Sequence, residues 1–156
     1  NLSKTLQQFE KVEQTYPDIP GISFLKLQHL GDEKNKKAFD LELNRLSAKF
    51  PDYPPFWYFK ALNLLSDDET LQEGLAFARS LLPIQKVWPE TTSFCDIQVN
   101  LHVNLLKTIF TLEEKPEYLD ALIEYLEEAL PELLENDPIQ DLADAMKIRL
   151  VRISLQ

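Results

Sequence analysis

The chain repeats itself at a spacing of 34 residues, and no other feature constrains the fold as strongly. Tyr16-Pro17-Asp18-Ile19-Pro20 returns as Phe50-Pro51-Asp52-Tyr53-Pro54. Beyond the turn, Phe24, Leu25, Lys26 and Leu30 reappear as Tyr58, Phe59, Lys60 and Leu64. Five of the fifteen positions from 16 to 30 are identical, where average residue usage would give about one. A period of this size marks stacked supersecondary units, none of which buries its apolar face alone.

The units read as helix pairs. Phe39, Leu43, Leu46 and Phe50 follow a helical stripe, and similar stripes predict eight helices, near 2–15, 21–30, 33–49, 55–65, 67–87, 92–112, 116–135 and 138–155. Gly31 stands where a helix-ending glycine would, and Asp32 can cap the next start. Ser66-Asp67-Asp68-Glu69 and Asp137-Pro138-Ile139-Gln140 both read as capping boxes. Ala38, Phe39, Leu43, Leu46, Phe50 and Pro51 match Ala76, Phe77, Leu81, Ile84, Trp88 and Pro89 at a spacing of 38. That spacing predicts a second unit stretched by four residues in the polar connection 66–70. Ile97, Val99, Leu101, Val103 and Leu105 alternate with polar residues as a strand would. Phe94, Ile97, Leu101, Leu105, Ile109 and Leu112 also form a helical stripe, and the length of the segment favours the helix.

Composition narrows the function classes. Three glycines in 156 residues argue against a turn-rich all-β chain and against a phosphate-cradling loop. No run of 18 apolar residues is present, so no helical membrane span is expected. Residues 113–144 hold twelve acids against Lys115 alone, whereas 145–156 hold Lys147, Arg149 and Arg152 and no acid. With a net charge of −10 such a chain repels phosphate backbones, and nucleic acid is not an expected partner. The lone Cys95 excludes an internal disulfide and suits either redox compartment. A cytoplasmic location is favoured. The start at Asn1, within a helical pattern and without a charged-then-apolar leader, also fits an exported chain with its leader removed, or a fragment.

Paired helices at 34 residues closed by proline resemble tetratricopeptide repeats, over roughly residues 1–136. In that family a large aromatic opens the first helix of a repeat and a small residue follows one turn later, as Trp57 and Ala61 do here. Ser23 and Leu27, then Cys95 and Val99, depart from the pattern, and Phe39 and Phe77 stand where the family prefers small residues. The resemblance implies a divergent all-α, right-handed α-α superhelix in a single domain. Its parts would be a half repeat at 1–17, repeats at 20–51, 54–89 and 92–136, and a capping helix at 138–156.

The same resemblance implies a concave strip of Phe24, Gln28, Tyr58, Leu62, Leu65, Asp96 and Asn100, able to hold a peptide or helix by aromatic anchors. The alternative is that these rings fill the core between repeats. Family members that grip a terminal carboxylate do so with basic residues and asparagine on this strip. Phe24, Tyr58 and Asp96 in those places argue against such a clamp. Asp120, Glu124, Glu127 and Glu128 lie opposite the leucines of the helix 116–135. They form either a solvated face or a docking face for a basic partner. Lys147, Arg149 and Arg152 are available to meet part of that field within the chain.

Cys95 and His102 lie two turns apart, about 10 Å along a helix, too far to share a metal ion. No nucleophile elbow, paired HxxxH or CxxC occurs. The expectation is a non-enzymatic chain without cofactor or metal that binds another protein or peptide, as adaptor, assembly factor or chaperone. Acidity and size also resemble the small tetratricopeptide chaperones of bacterial secretion. The alternative is a structural repeat segment of a larger protein. Self-association through exposed solenoid ends is a further expectation.

Overall fold

The computed structural model describes residues 2–82, 95–129 and 137–155. Among them are eight helices and no strand. They are α1 (Leu2–Thr15), α2 (Pro20–Asp32), α3 (Lys36–Lys49), α4 (Pro54–Leu65), α5 (Leu71–Leu81), α6 (Cys95–Glu113), α7 (Pro116–Ala129) and α8 (Asp137–Ser154). The chain is all-α, as its periodicity predicts. The expected continuation of α5 to Val87, the second closing pair Trp88-Pro89, and the stretch 130–135 lie outside the described residues. Backbone contacts divide the chain into two compact units, 1–60 and 61–156, with the boundary inside α4.

In the first unit α1 packs on α2 and α2 on α3. The core is built from Phe24, Leu27 and Leu30 of α2, Leu43 and Leu46 of α3, and Phe56 and Tyr58 of α4. Phe59 stacks on Phe24 at 5.2 Å between ring centroids and meets Phe39 edge-on at 5.8 Å. Such ring pairs add about 1 kcal/mol to the burial of their area. In the second unit α5 packs on α6, α6 on α7 and α7 on α8. Leu105, Leu106 and Ile109 of α6 and Leu122 of α7 are fully buried there. Of the α6 stripe, Leu101, Leu105 and Ile109 are buried and Leu112 is exposed, while His102, Leu106 and Phe110 widen the buried face. Alternation over five residues gives way to the helical period because a helix satisfies its own backbone, whereas a strand needs an edge to pair with.

The helix ends differ from expectation at two connections. Gly31 lies inside α2, and the left-handed residue closing that helix is Lys34 at φ 56°, its amide bonded to the Gly31 carbonyl at 3.1 Å. The next helix is capped by Asn35, not Asp32: the Asn35 Oδ1 accepts from the Ala38 amide at 3.2 Å. The segment Ser66-Asp67-Asp68-Glu69 does not open α5, which begins at Leu71. Ser66 donates to the Asn63 carbonyl, Asp67 accepts from the Glu69 amide, and Thr70 donates to the Leu64 carbonyl at 2.7 Å. Short polar side chains here bond local backbone and end α4 instead of starting its successor. The cap side chains expected at Asp137 and Gln140 lie outside the described ones.

The repeat itself is more regular than its letters. Gly21, Phe24 and Leu27 are buried in α2, as are Pro55, Tyr58 and Ala61 in α4, at a spacing of 34. At the expected spacing of 38, Leu43 of α3 and Leu81 of α5 are both buried and Phe39 and Phe77 both half-buried, while Ile84, Trp88 and Pro89 lie outside the described residues.

Candidate functional site

The strip expected to line a groove divides by burial. Phe24, Tyr58 and Leu65 are buried, Leu62 is half-buried and Gln28 is exposed. Phe24 and Tyr58 occupy equivalent places in their repeats and fill the core, with their rings closed off from any ligand. Both rings bury essentially their full area between helices. Asp96 and Asn100 lie on α6, with side chains outside the described ones. On α7, Asp120 and Glu124 are exposed opposite the buried Leu119 and Leu122, whereas the side chains of Glu127 and Glu128 are not among those described. Two of the basic residues of α8 meet acids of the stretch 113–144: Arg149 donates to Glu114 at 2.9 Å and Lys147 lies 3.8 Å from Asp144.

What the first unit does present to solvent is an open cleft of about 380 Å³, lined by Asp18, Pro20, Lys49, Phe50, Pro51, Asp52 and Tyr53. All but Lys49, which ends α3, belong to the two copies of the repeated turn. The two turns line one space, and the cleft lies between them. Trp57 braces one wall by donating its indole N–H to the Pro51 carbonyl at 2.9 Å. Tyr53 packs edge-on against Phe56 at 5.0 Å, and burial raises its phenol to about 12, so it stays neutral. The Lys49 ammonium sits 5.1 Å from the centre of the Phe50 ring. The result is an apolar floor of proline and aromatic rings, with Asp18, Asp52 and Lys49 at its rim.

A buried ionic cluster lies in the same unit, and nothing in the sequence spacing announces it. Lys26 is almost fully buried, 2.9 Å from Glu13 and 3.5 Å from Glu42. Arg45 approaches Glu13 at 3.4 Å, and Ser23 donates to Glu13 at 2.8 Å. Burial alone would raise the Glu13 carboxyl. Hydrogen bonds from Lys26 and Ser23, with the Lys26 and Arg45 charges, outweigh it and hold the group below the usual range. The signal in the sequence was Lys26 itself, a cation inside the otherwise apolar run Phe24–Leu27. Two acids against two bases make the cluster neutral and structural.

The second unit has a matching link, in which Arg79 of α5, Tyr118 of α7 and Lys115 converge on Glu113 at the end of α6. Burial raises the Tyr118 phenol further than the Arg79 contact can lower it, and the bond to Glu113 adds to the rise. His102 packs on Tyr125 with ring centroids 4.1 Å apart, and burial lowers it to about 4, so it is neutral near pH 7. Among the described residues no group of three His, Cys, Asp or Glu side chains is placed to hold a metal ion, and no helix is long and apolar enough to cross a membrane. Comparison with known protein families, curated proteins and solved structures finds no match.

Proposed function

We propose that the chain is a non-catalytic, tetratricopeptide-like interaction module that binds a peptide segment or helix of another protein, as adaptor, assembly factor or chaperone. The observation that carries the reading is the cleft between the two repeated turns. Its volume lies within the range of ligand sites, and its floor of Pro20, Phe50, Pro51 and Tyr53 suits one apolar side chain of an extended segment. Asp18 and Asp52 at the rim favour a basic neighbour beside that anchor. The shared burial at a spacing of 34 supports the repeat architecture on which the cleft depends.

Selection of a displayed random-peptide library on the intact chain tests this. Enriched peptides should share an apolar residue flanked by Lys or Arg. Their affinity, read by fluorescence anisotropy, should fall about tenfold, about 1.4 kcal/mol, in Asp18→Lys with Asp52→Lys. Both positions are exposed, so helicity should be unchanged. Equal affinity for the double variant, or no enrichment at all, removes the cleft as the binding site.

A further inference from the structure

The last helix carries two apolar faces, and only one of them is covered. Ala143 and Met146 are buried, with Leu150 and Ile153 half-buried beside them. On the opposite side, Ile148 is 54% exposed, Val151 58% and Leu155 81%. Their spacing of three and then four residues puts them on one stripe. Leu155 continues that stripe past the end of α8, its amide bonded to the Val151 carbonyl at 3.2 Å.

Charge along the same helix is polarised. The exposed acids Asp141 and Asp144 precede the stripe, and the exposed bases Lys147, Arg149 and Arg152 lie along it. Arg149 is engaged by Glu114 and Lys147 by Asp144, whereas Arg152 points from the flank of the stripe with no ion pair among the described residues. A helix that is acidic before its midpoint and basic after it complements a reversed copy of itself, which is the symmetry of a two-fold dimer.

We infer that two copies of this chain pair antiparallel through the outer face of α8, with Ile148 and Val151 as the apolar seam and the Asp141–Asp144 segment of each copy facing Arg152 of the other. A crossing near Ile148 brings the two Ile148 side chains together and sets Val151 over Ala145. The same crossing sets Arg152 opposite the partner's Asp144 and within a turn of the partner's Asp141. An unlike partner would need acids placed to match Arg152 and bases to match Asp141, an arrangement a second copy supplies without further assumption. The 18 residues of α8 extend about 27 Å, and one helix face falls short of a standard interface. The dimer is therefore weak, with half-association in the micromolar range or above.

Sedimentation velocity of the intact chain over a wide concentration range is the test. The wild type should pass from monomer to dimer. Ile148→Glu, and separately Val151→Glu, should raise the dissociation constant at least tenfold with unchanged circular dichroism. Arg152→Asp alone and Asp144→Arg alone should each weaken the dimer severalfold, and the two together should restore most of it. Asp52→Lys, in the cleft of the first unit, should leave the association untouched, so failure of the peptide site and failure of the dimer are separable. A chain that stays monomeric, or a dimer indifferent to Ile148→Glu, overturns the proposal. A dimer that Ile148→Glu breaks but the charge exchange does not rescue overturns the antiparallel arrangement and assigns the face to another pairing.

Discussion

The turn at 16–20 and its copy at 50–54 share three of five residues yet sit in different surroundings. In the first, Tyr16 is 54% and Ile19 47% exposed. In the second, Phe50 and Tyr53 are half-buried against Phe56, at 6.2 and 5.0 Å between ring centroids. The difference arises one turn later in each following helix. Phe56 replaces Ile22, and Trp57, which ties down the Pro51 carbonyl, replaces Ser23, which instead donates to Glu13. A repeated motif thus fixes a backbone path and leaves the next few side chains to decide whether the turn is packed or open.

The two cores offer the strongest way to break this comparison. Phe24 and Tyr58 are equivalent in register and both essentially buried, at 1% and 0% exposure. If the repeats are interchangeable in packing, Phe24→Ala and Tyr58→Ala should each cost about 3–5 kcal/mol in urea denaturation. A cost below about 1 kcal/mol at Tyr58, with binding lost instead, would return that ring to a ligand-contacting role.

Lysine separates the repeats where the rings unite them. Lys26 and Lys60 are identical letters in the echo, but Lys26 is buried between Glu13 and Glu42 and Lys60 is exposed. The places 34 residues after Glu13 and Glu42 hold Ser47 and Ala76, so the pair of acids that flanks Lys26 has no counterpart at those places. Lys26→Ala leaves two partly desolvated carboxylates with Arg45 alone and should cost about 3 kcal/mol. Lys60→Ala should fall within about 0.5 kcal/mol of wild type. Equal losses would mean the ionic cluster adds nothing to the first unit.

Acid should distinguish the two units. The unfolded chain protonates a histidine near 6.5, whereas buried His102 in the second unit does so only at about 4. Between those values the unfolded state holds more protons, so stability falls as pH drops from about 6.5 to about 4, by about 3 kcal/mol in all. Glu13 in the first unit behaves differently. Its carboxyl is held below the usual range, so its contribution is present above the unfolded carboxylate value and is lost as pH falls through the lower folded one. Amide exchange measured across this range should show α6 and α7 loosening at a higher pH than α1 and α2. His102→Leu should flatten the upper part of the profile, and an unchanged profile in that variant would assign the acid sensitivity elsewhere.

Helix number and order, and the core face of α6, were legible because helical periodicity is written in every turn of the chain. The connections were harder to read. Gly31 looked like a helix end because glycine often is one, yet Lys34 takes the left-handed conformation, and Asn35 caps where Asp32 was expected. Ser66–Thr70 looked like a helix start because the residues that cap helices are also those that close turns. The groove fared least well. Its residues were placed by analogy of position, and a position within a repeat does not say whether its ring turns in or out. The cleft of the first unit was hidden because Asp18 and Asp52 lie 34 residues apart, and sequence alone does not show that the two turns share one space.

Glycine provides the finest probe of the same comparison, because two substitutions of one kind should differ in sign. Gly74 in α5 packs so closely on the end of α4 that an added Cβ would lie 2.9 Å from the Leu64 carbonyl carbon and the Leu65 amide nitrogen. Neither backbone atom moves without the helix. Gly74→Ala should therefore destabilise by about 1–3 kcal/mol despite alanine's better helix propensity. Gly31 in α2 faces only the Phe39 ring, at 3.4 Å, and a ring edge shifts by tenths of an ångström at little cost. Gly31→Ala should be neutral or gain up to about 1 kcal/mol in thermal denaturation, as alanine narrows the unfolded ensemble. If both variants lose stability alike, the first helix pair is packed as tightly as the second, and the looseness inferred from its exposed turn is confined to Tyr16 and Ile19.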